Sequence, residues 1–160
     1  MATTRLAFAG RTRFVAATVS RNYTHIEHIQ QPFFGLRSEA TIQVAYRAEY
    51  AFGYDLAPDS FAVSGDSNGI VITLTKPRPV ATPAAVLLGY RIPDHGLLVD
   101  EKQAVIELQR RIQPLVQLNA ASIGEEPAVA ALCERSLRSF LQAMLSKRPG
   151  RPPPVVIAYR

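Results

Sequence analysis

Over residues 38–54 the chain alternates, with Ala40, Ile42, Val44, Tyr46, Ala48, Tyr50 and Phe52 on one side and Glu39, Thr41, Gln43, Arg47 and Glu49 on the other. Successive side chains of a strand point to opposite faces, so a period of two predicts a long strand with one face in a core and one in water. A helix would need apolar residues every three or four positions. The fold must therefore be organised around a sheet.

Upstream, residues 14–29 are rich in β-branched and aromatic side chains, and Gln31-Pro32 with Gly35 supplies a break. The two stretches are expected to pair as an antiparallel hairpin. Leu56-Ala57-Pro58-Asp59 reads as a turn. Short strands over 60–64 and 70–75 then flank Gly65-Asp66-Ser67-Asn68-Gly69, whose composition suits a second hairpin. Pro77, Pro79 and Pro83 argue against regular pairing until a fifth strand over 84–92, closed by a Pro93-Asp94-His95-Gly96 turn.

The period changes near Asp100. Val105, Leu108, Ile112, Leu115 and Leu118 recur every three or four residues, which predicts an amphipathic helix weakened near Pro114. Val129, Leu132, Cys133, Leu137, Phe140, Leu141, Met144 and Leu145 give a second helix a broad apolar stripe. Glu125, Glu126 and Pro127 suit its first turn, and Lys147 and Arg148 its end. After Pro149-Gly150, Val155–Tyr159 reads as a short strand returning to the sheet. The expected class is α+β. It comprises a mostly antiparallel sheet of about five to six strands (two N-terminal hairpins, a fifth strand, a short C-terminal strand) with two C-terminal helices packed on one face.

A chain of 160 residues, 48% hydrophobic and 19% charged, is sized for a single domain over 1–160, with a flexible N-terminus over 1–11 and a Pro/Gly/Arg connector over 149–154. Cys133 is the only cysteine, so an internal disulfide is excluded, a cysteine zinc site is disfavoured, and a reducing, cytoplasmic compartment fits. Arg5, Arg11 and Arg13 interrupt the apolar runs near the N-terminus. Neither a signal core nor the ~20-residue apolar span of a membrane helix is expected, and the chain reads as soluble.

G-Y-D-L over 53–56, Val63, I-V-I-T-L over 70–74 and Lys76-Pro77 resemble the DUF4230 family of bacterial proteins of unknown function. The two late helices and V-V-I-A-Y over 155–159 are similar to the family's C-terminal half, so the resemblance runs from about Phe14 to Tyr159. It implies an α+β domain and no established activity. Two departures stand out: many relatives carry a membrane-spanning or lipoprotein segment ahead of this domain, and Tyr54 stands where an aliphatic residue is expected.

His25 and His28 flank Glu27, and imidazole with carboxylate is good chemistry for zinc or iron. A separation of three, however, sends the two histidines to opposite faces of a strand. His95 is a third candidate. Asp55, Asp59 and Asp66 have the chemistry of catalytic carboxylates or calcium ligands, yet all lie in turn sequences where aspartate satisfies backbone N–H groups. Cys133 sits on an apolar stripe, so its thiol should pack in the core rather than react. No phosphate-binding Gly-rich loop or nucleophile elbow occurs, and no cofactor is expected.

Net charge is +5, from fifteen arginines and three lysines against thirteen acidic residues, and the excess falls at the two ends of the chain. Arg110, Arg111, Arg135, Arg138, Arg148 and Arg151 are candidates for contact with nucleic acid or an anionic membrane surface. Lys147-Arg148-Pro149-Gly150-Arg151-Pro152 has the Gly-Arg-Pro core of a minor-groove hook, but between a helix and a strand it reads as a connector.

Three functions are open. The favoured one is a non-enzymatic binding or interaction module. The second is a hydrolase, with or without a metal, with catalytic groups among His25, His28, Asp55 and His95. The third is nucleic-acid or anionic-surface binding through the basic helix face. Long strands leave a sheet edge, so a homodimer is a further possibility.

Overall fold

The computed structural model of the chain describes residues 13–33, 36–66, 68–95, 100–147, 150 and 152–160. The expected flexible N-terminus over 1–11, and Arg148, Arg151 and Gly96, lie outside the described residues. The elements run β1 (Arg13–Phe33), β2 (Leu36–Asp55), β3 (Phe61–Asp66), β4 (Gly69–Leu74), β5 (Arg78–Pro79), β6 (Ala84–His95), α1 (Glu101–Gly124), α2 (Pro127–Leu145) and β7 (Val155–Tyr159). The class is α+β, with strands in mainly antiparallel sheets followed by two helices and a last strand. No described helix is long and apolar enough to cross a membrane.

Two hydrogen-bonded sheets are present among the described residues: one joins β1, β2, β5 and β6 around β2, and the other has the order β3-β4-β7. The chain gathers into two compact units. One holds Ser20–Tyr50 and Pro83–Ala120; the other holds Met1–Val19, Ala51–Thr82 and Ala121–Arg160. β1, β2 and α1 contribute a part to each.

In the first of these units the hydrogen bonds from His28 to Thr41, Gln30 to Glu39 and Arg47 to Asn22 step in opposite directions along β1 and β2, as in an antiparallel hairpin. β6 pairs antiparallel with the other side of β2, from Ala40 opposite His95 to Glu49 opposite Ala84. Between them Ala45 opposes Gly89 and Tyr46 opposes Leu87, which leaves Leu88 as the extra residue of a bulge. The even-numbered residues of β2 from Ala40 to Tyr50 are all at most 4% exposed, so the alternation read from the sequence is the core pattern itself. Ala104, Leu108, Ile112, Val116 and Ala120 are the buried positions of α1 in this unit, a stripe of every fourth residue.

Several expectations need correction here. β1 runs through Pro32 to Phe33, and β6 runs through Pro93 to His95, so neither proline closes its strand. Among the described residues both strands pair on one side only, and an edge strand tolerates a missing N–H when it points away from the ladder. The proposed turn at His95 is therefore strand. α1 continues through Pro114, which is exposed, so water can satisfy the Arg110 carbonyl that the ring leaves unpaired. Leu115 and Leu118 are 38% and 72% exposed, because small Ala104 and Ala120 take the buried stripe that the sequence reading gave to larger residues.

In the other unit, Phe52, Tyr54 and Leu56 continue the buried face of β2. Arg78 and Pro79 pair with Gly53 and Phe52, which corrects the expectation that the prolines forbid pairing before Ala84. The segment is only two residues long, and Val80 supplies the next N–H, to the Ala51 carbonyl at 2.9 Å. Gly53 is required: a Cβ there would overlap the Phe14 carbonyl oxygen of β1. β3 and β4 form the second hairpin, and β7 joins β4 in parallel, Ile70 opposite Val155 to Leu74 opposite Tyr159. Gly65, at φ +119°, takes a backbone conformation that glycine adopts freely. α2 buries Val129, Cys133, Leu137, Leu141 and Leu145, and its Phe140 ring lies 5.1 Å from that of Phe14.

Candidate functional site

The strand period places His25 and Glu27 on the same face of β1, where their side chains are 29% and 21% exposed. His25 Nε2 lies 2.7 Å from Glu27 Oε2. Arg111 of α1 reaches the same carboxylate, with Nη1 2.5 Å from Glu27 Oε1, and turns Nη2 to Glu107 Oε1 at 2.7 Å. The His25 hydrogen bond is the main influence holding the Glu27 carboxyl below its usual range, with Arg111 adding to it and burial opposing. Two residues earlier, Tyr23 stacks on Tyr46 at 5.2 Å and accepts a hydrogen bond from the Tyr50 hydroxyl at 3.1 Å. Burial, then the Tyr23 contact, push the Tyr50 hydroxyl well above the ordinary phenol range.

His28 is on the opposite face, with Nδ1 3.0 Å from Thr41 Oγ1. The two histidines therefore do not converge, in keeping with their spacing. His95 ends β6 with its backbone opposite Ala40. Asp55 belongs to the other unit, where Oδ1 accepts the Ala57 N–H at 3.0 Å and Oδ2 accepts Arg78 Nη2 at 2.8 Å. The Ala57 N–H is the main cause of its lowered pKa, with Arg78 next among the stabilising groups. Asp66 likewise accepts the Asn68 N–H, at 2.7 Å. Among the described residues, no group of three or more His, Cys, Asp or Glu is placed to hold a metal ion.

The candidate arginines divide. Arg111 is engaged by two carboxylates; Arg138 bonds Glu134 at 2.8 Å and the Val155 carbonyl at 3.1 Å. Arg110 and Arg135 are exposed and make no ion pair among the described residues. Cys133 is fully buried, and burial pushes its thiol pKa up, which keeps it protonated at neutral pH.

The feature that sequence reasoning missed is the border between β6 and α1. A crevice of about 260 Å³ opens there, lined by Tyr46, Ala85, Leu87, Gln109, Ile112 and Gln113. Gln113 Nε2 donates to the Pro83 carbonyl at 3.0 Å and fastens the helix to the start of the strand. Along the same helix a wider depression passes Lys102, Ile106 and Arg110. Among the described residues β6 pairs only with β2, and it displays Val86, Leu88 and Tyr90 at 56%, 51% and 47% exposure. The uncharged run over 84–90 was a signal for this edge, but a run of apolar residues reads equally well as a buried strand.

Comparison with known proteins finds no matching family profile, curated protein or solved structure.

Proposed function

We propose that the protein is a non-enzymatic interaction module that engages a partner through the β6 border of its sheet. The observation that carries this reading is the combination of an unpaired strand edge, among the described residues, with Val86, Leu88 and Tyr90 held exposed along it. Unpaired edges offer a row of backbone donors and acceptors, and large exposed apolar side chains beside them mark association surfaces. The candidate acid and base groups support the same reading: Asp55 holds a turn, His28 bonds Thr41, and His25 and Glu27 bond each other. The DUF4230 resemblance belongs to this proposal and is compatible with it, since that family implies a fold and no activity.

The test compares the wild type with a Val86→Lys, Leu88→Lys double variant, both immobilised as full chains and exposed to an extract of the source cells. Both positions are exposed, so the variant should keep the melting temperature. A partner retained by the wild type and lost by the variant is expected. Equal retention, or an esterase or phosphatase activity abolished by His25→Ala at unchanged stability, would sink the reading.

A further inference from the structure

We infer that β6 accepts an extended, acidic segment of a partner protein as an added strand, with one large apolar side chain of that segment seated in the crevice against Ala85, Leu87 and Ile112. This rests on the interaction-module reading and specifies its ligand. Ala85 and Leu87 stand opposite Ala48 and Tyr46, both buried, so they belong to the inward face of the sheet. A strand laid along β6 continues the pleat and turns every second side chain to that same inward level, beside the crevice. Main-chain bonds then supply affinity, and the crevice selects the side chain.

The crevice is sized for that role. At about 260 Å³ it is below the roughly 300–1,000 Å³ of sites that enclose a drug-sized ligand, and it suits a single side chain. Its strand floor is apolar, while Gln109 and Gln113 offer polar groups to a peptide backbone or a polar side-chain tip.

A second copy of β6 paired two-fold about Leu88 would set Leu87 against Gly89 and Val86 against Tyr90, across the bulge, where the regular pleat of the strand is interrupted. A foreign segment needs to match only residues 84–87, above the crevice.

Charge selects an acidic segment. Arg91 on β6 and Lys102 and Arg110 on α1 are exposed and make no ion pair among the described residues. Of the acids on the same stretch of α1, Glu107 is engaged with Arg111 and Asp100 accepts the Lys102 and Gln103 N–H groups, which leaves Glu101 as the exposed carboxylate beside three exposed cations.

The experiment selects a phage-displayed random peptide library on the full chain, then titrates the enriched synthetic peptides against wild type, Gln109→Trp and Arg110→Glu. Both positions are exposed, and circular dichroism checks that each variant folds. Acidic peptides with one large apolar residue should be enriched. Gln109→Trp, which fills the crevice, should weaken them by at least about tenfold, and Arg110→Glu by several-fold in a manner that fades with salt. Bound peptide should slow amide exchange over residues 84–87. An absence of enriched peptides, neutral or basic winners, or equal binding by both variants overturns the inference, as does a native dimer dissociated by Val86→Lys. Partner loss in the double variant alongside peptide binding indifferent to Gln109→Trp would leave the module reading standing and remove the groove.

Discussion

The hydroxyl of Tyr54, a residue with no solvent exposure, lies 3.0 Å from the hydroxyl of Tyr159, 105 positions further along the chain. Tyr159 also donates to Glu134 at 3.4 Å, so the buried phenol is linked to a surface carboxylate. Tyr54 is thus fully buried with a partner for its hydroxyl. Tyr54→Phe removes a hydrogen bond and leaves Tyr159 its carboxylate, at a cost of about 0.5–1.5 kcal/mol. Tyr159→Phe strands the buried hydroxyl, which costs roughly 1–3 kcal/mol. Urea denaturation of the two variants should give that order.

Glu27 makes stability depend on acid. Its folded pKa lies below the ordinary 4.5, so its contribution is present above that value and is lost as pH falls through the folded pKa. The melting-temperature gap between wild type and Glu27→Gln should be widest near neutrality and close in acid. A gap that is constant down to strongly acidic pH would show that the His25 and Arg111 contacts contribute nothing.

Gly53→Ala should be among the most damaging small substitutions in the chain. The added methyl meets the backbone of Phe14, which cannot move aside as a flexible side chain could. A loss of at least about 1–3 kcal/mol is expected in chemical denaturation.

Cys133 should resist a thiol reagent in the native protein and react fully in denaturant. Its thiol is buried and held protonated by that burial. Rapid native labelling would show that α2 opens locally.

Much of the architecture was legible because it depends on local periodicity. Every second residue of β2 from Ala40 to Tyr54 is buried as its alternation requires, and Val129, Cys133, Leu137, Leu141 and Leu145 form the buried line of α2. The opposite facing of His25 and His28 follows from the same rule. Contacts between distant segments were not legible. Arg111 was read as a candidate contact for nucleic acid or an anionic surface, since nothing local announces a carboxylate 84 positions away. Prolines were overread as stops: Pro93 and Pro32 sit in edge strands, and whether a strand is an edge depends on the whole sheet. The border of β6 went unseen for the same reason.

The parallel pairing of β7 with β4 has a kinetic consequence. As a ribosome delivers the chain, β3 and β4 can meet early through their short turn, but β4 must wait through both helices for its second neighbour. During that interval Ile70, Ile72 and Leu74, all buried in the finished protein, lack that cover. Closure over so long a loop is slow, and a half-built apolar sheet is prone to clump. Nascent chains halted before Val155 should therefore be the species that chaperones hold.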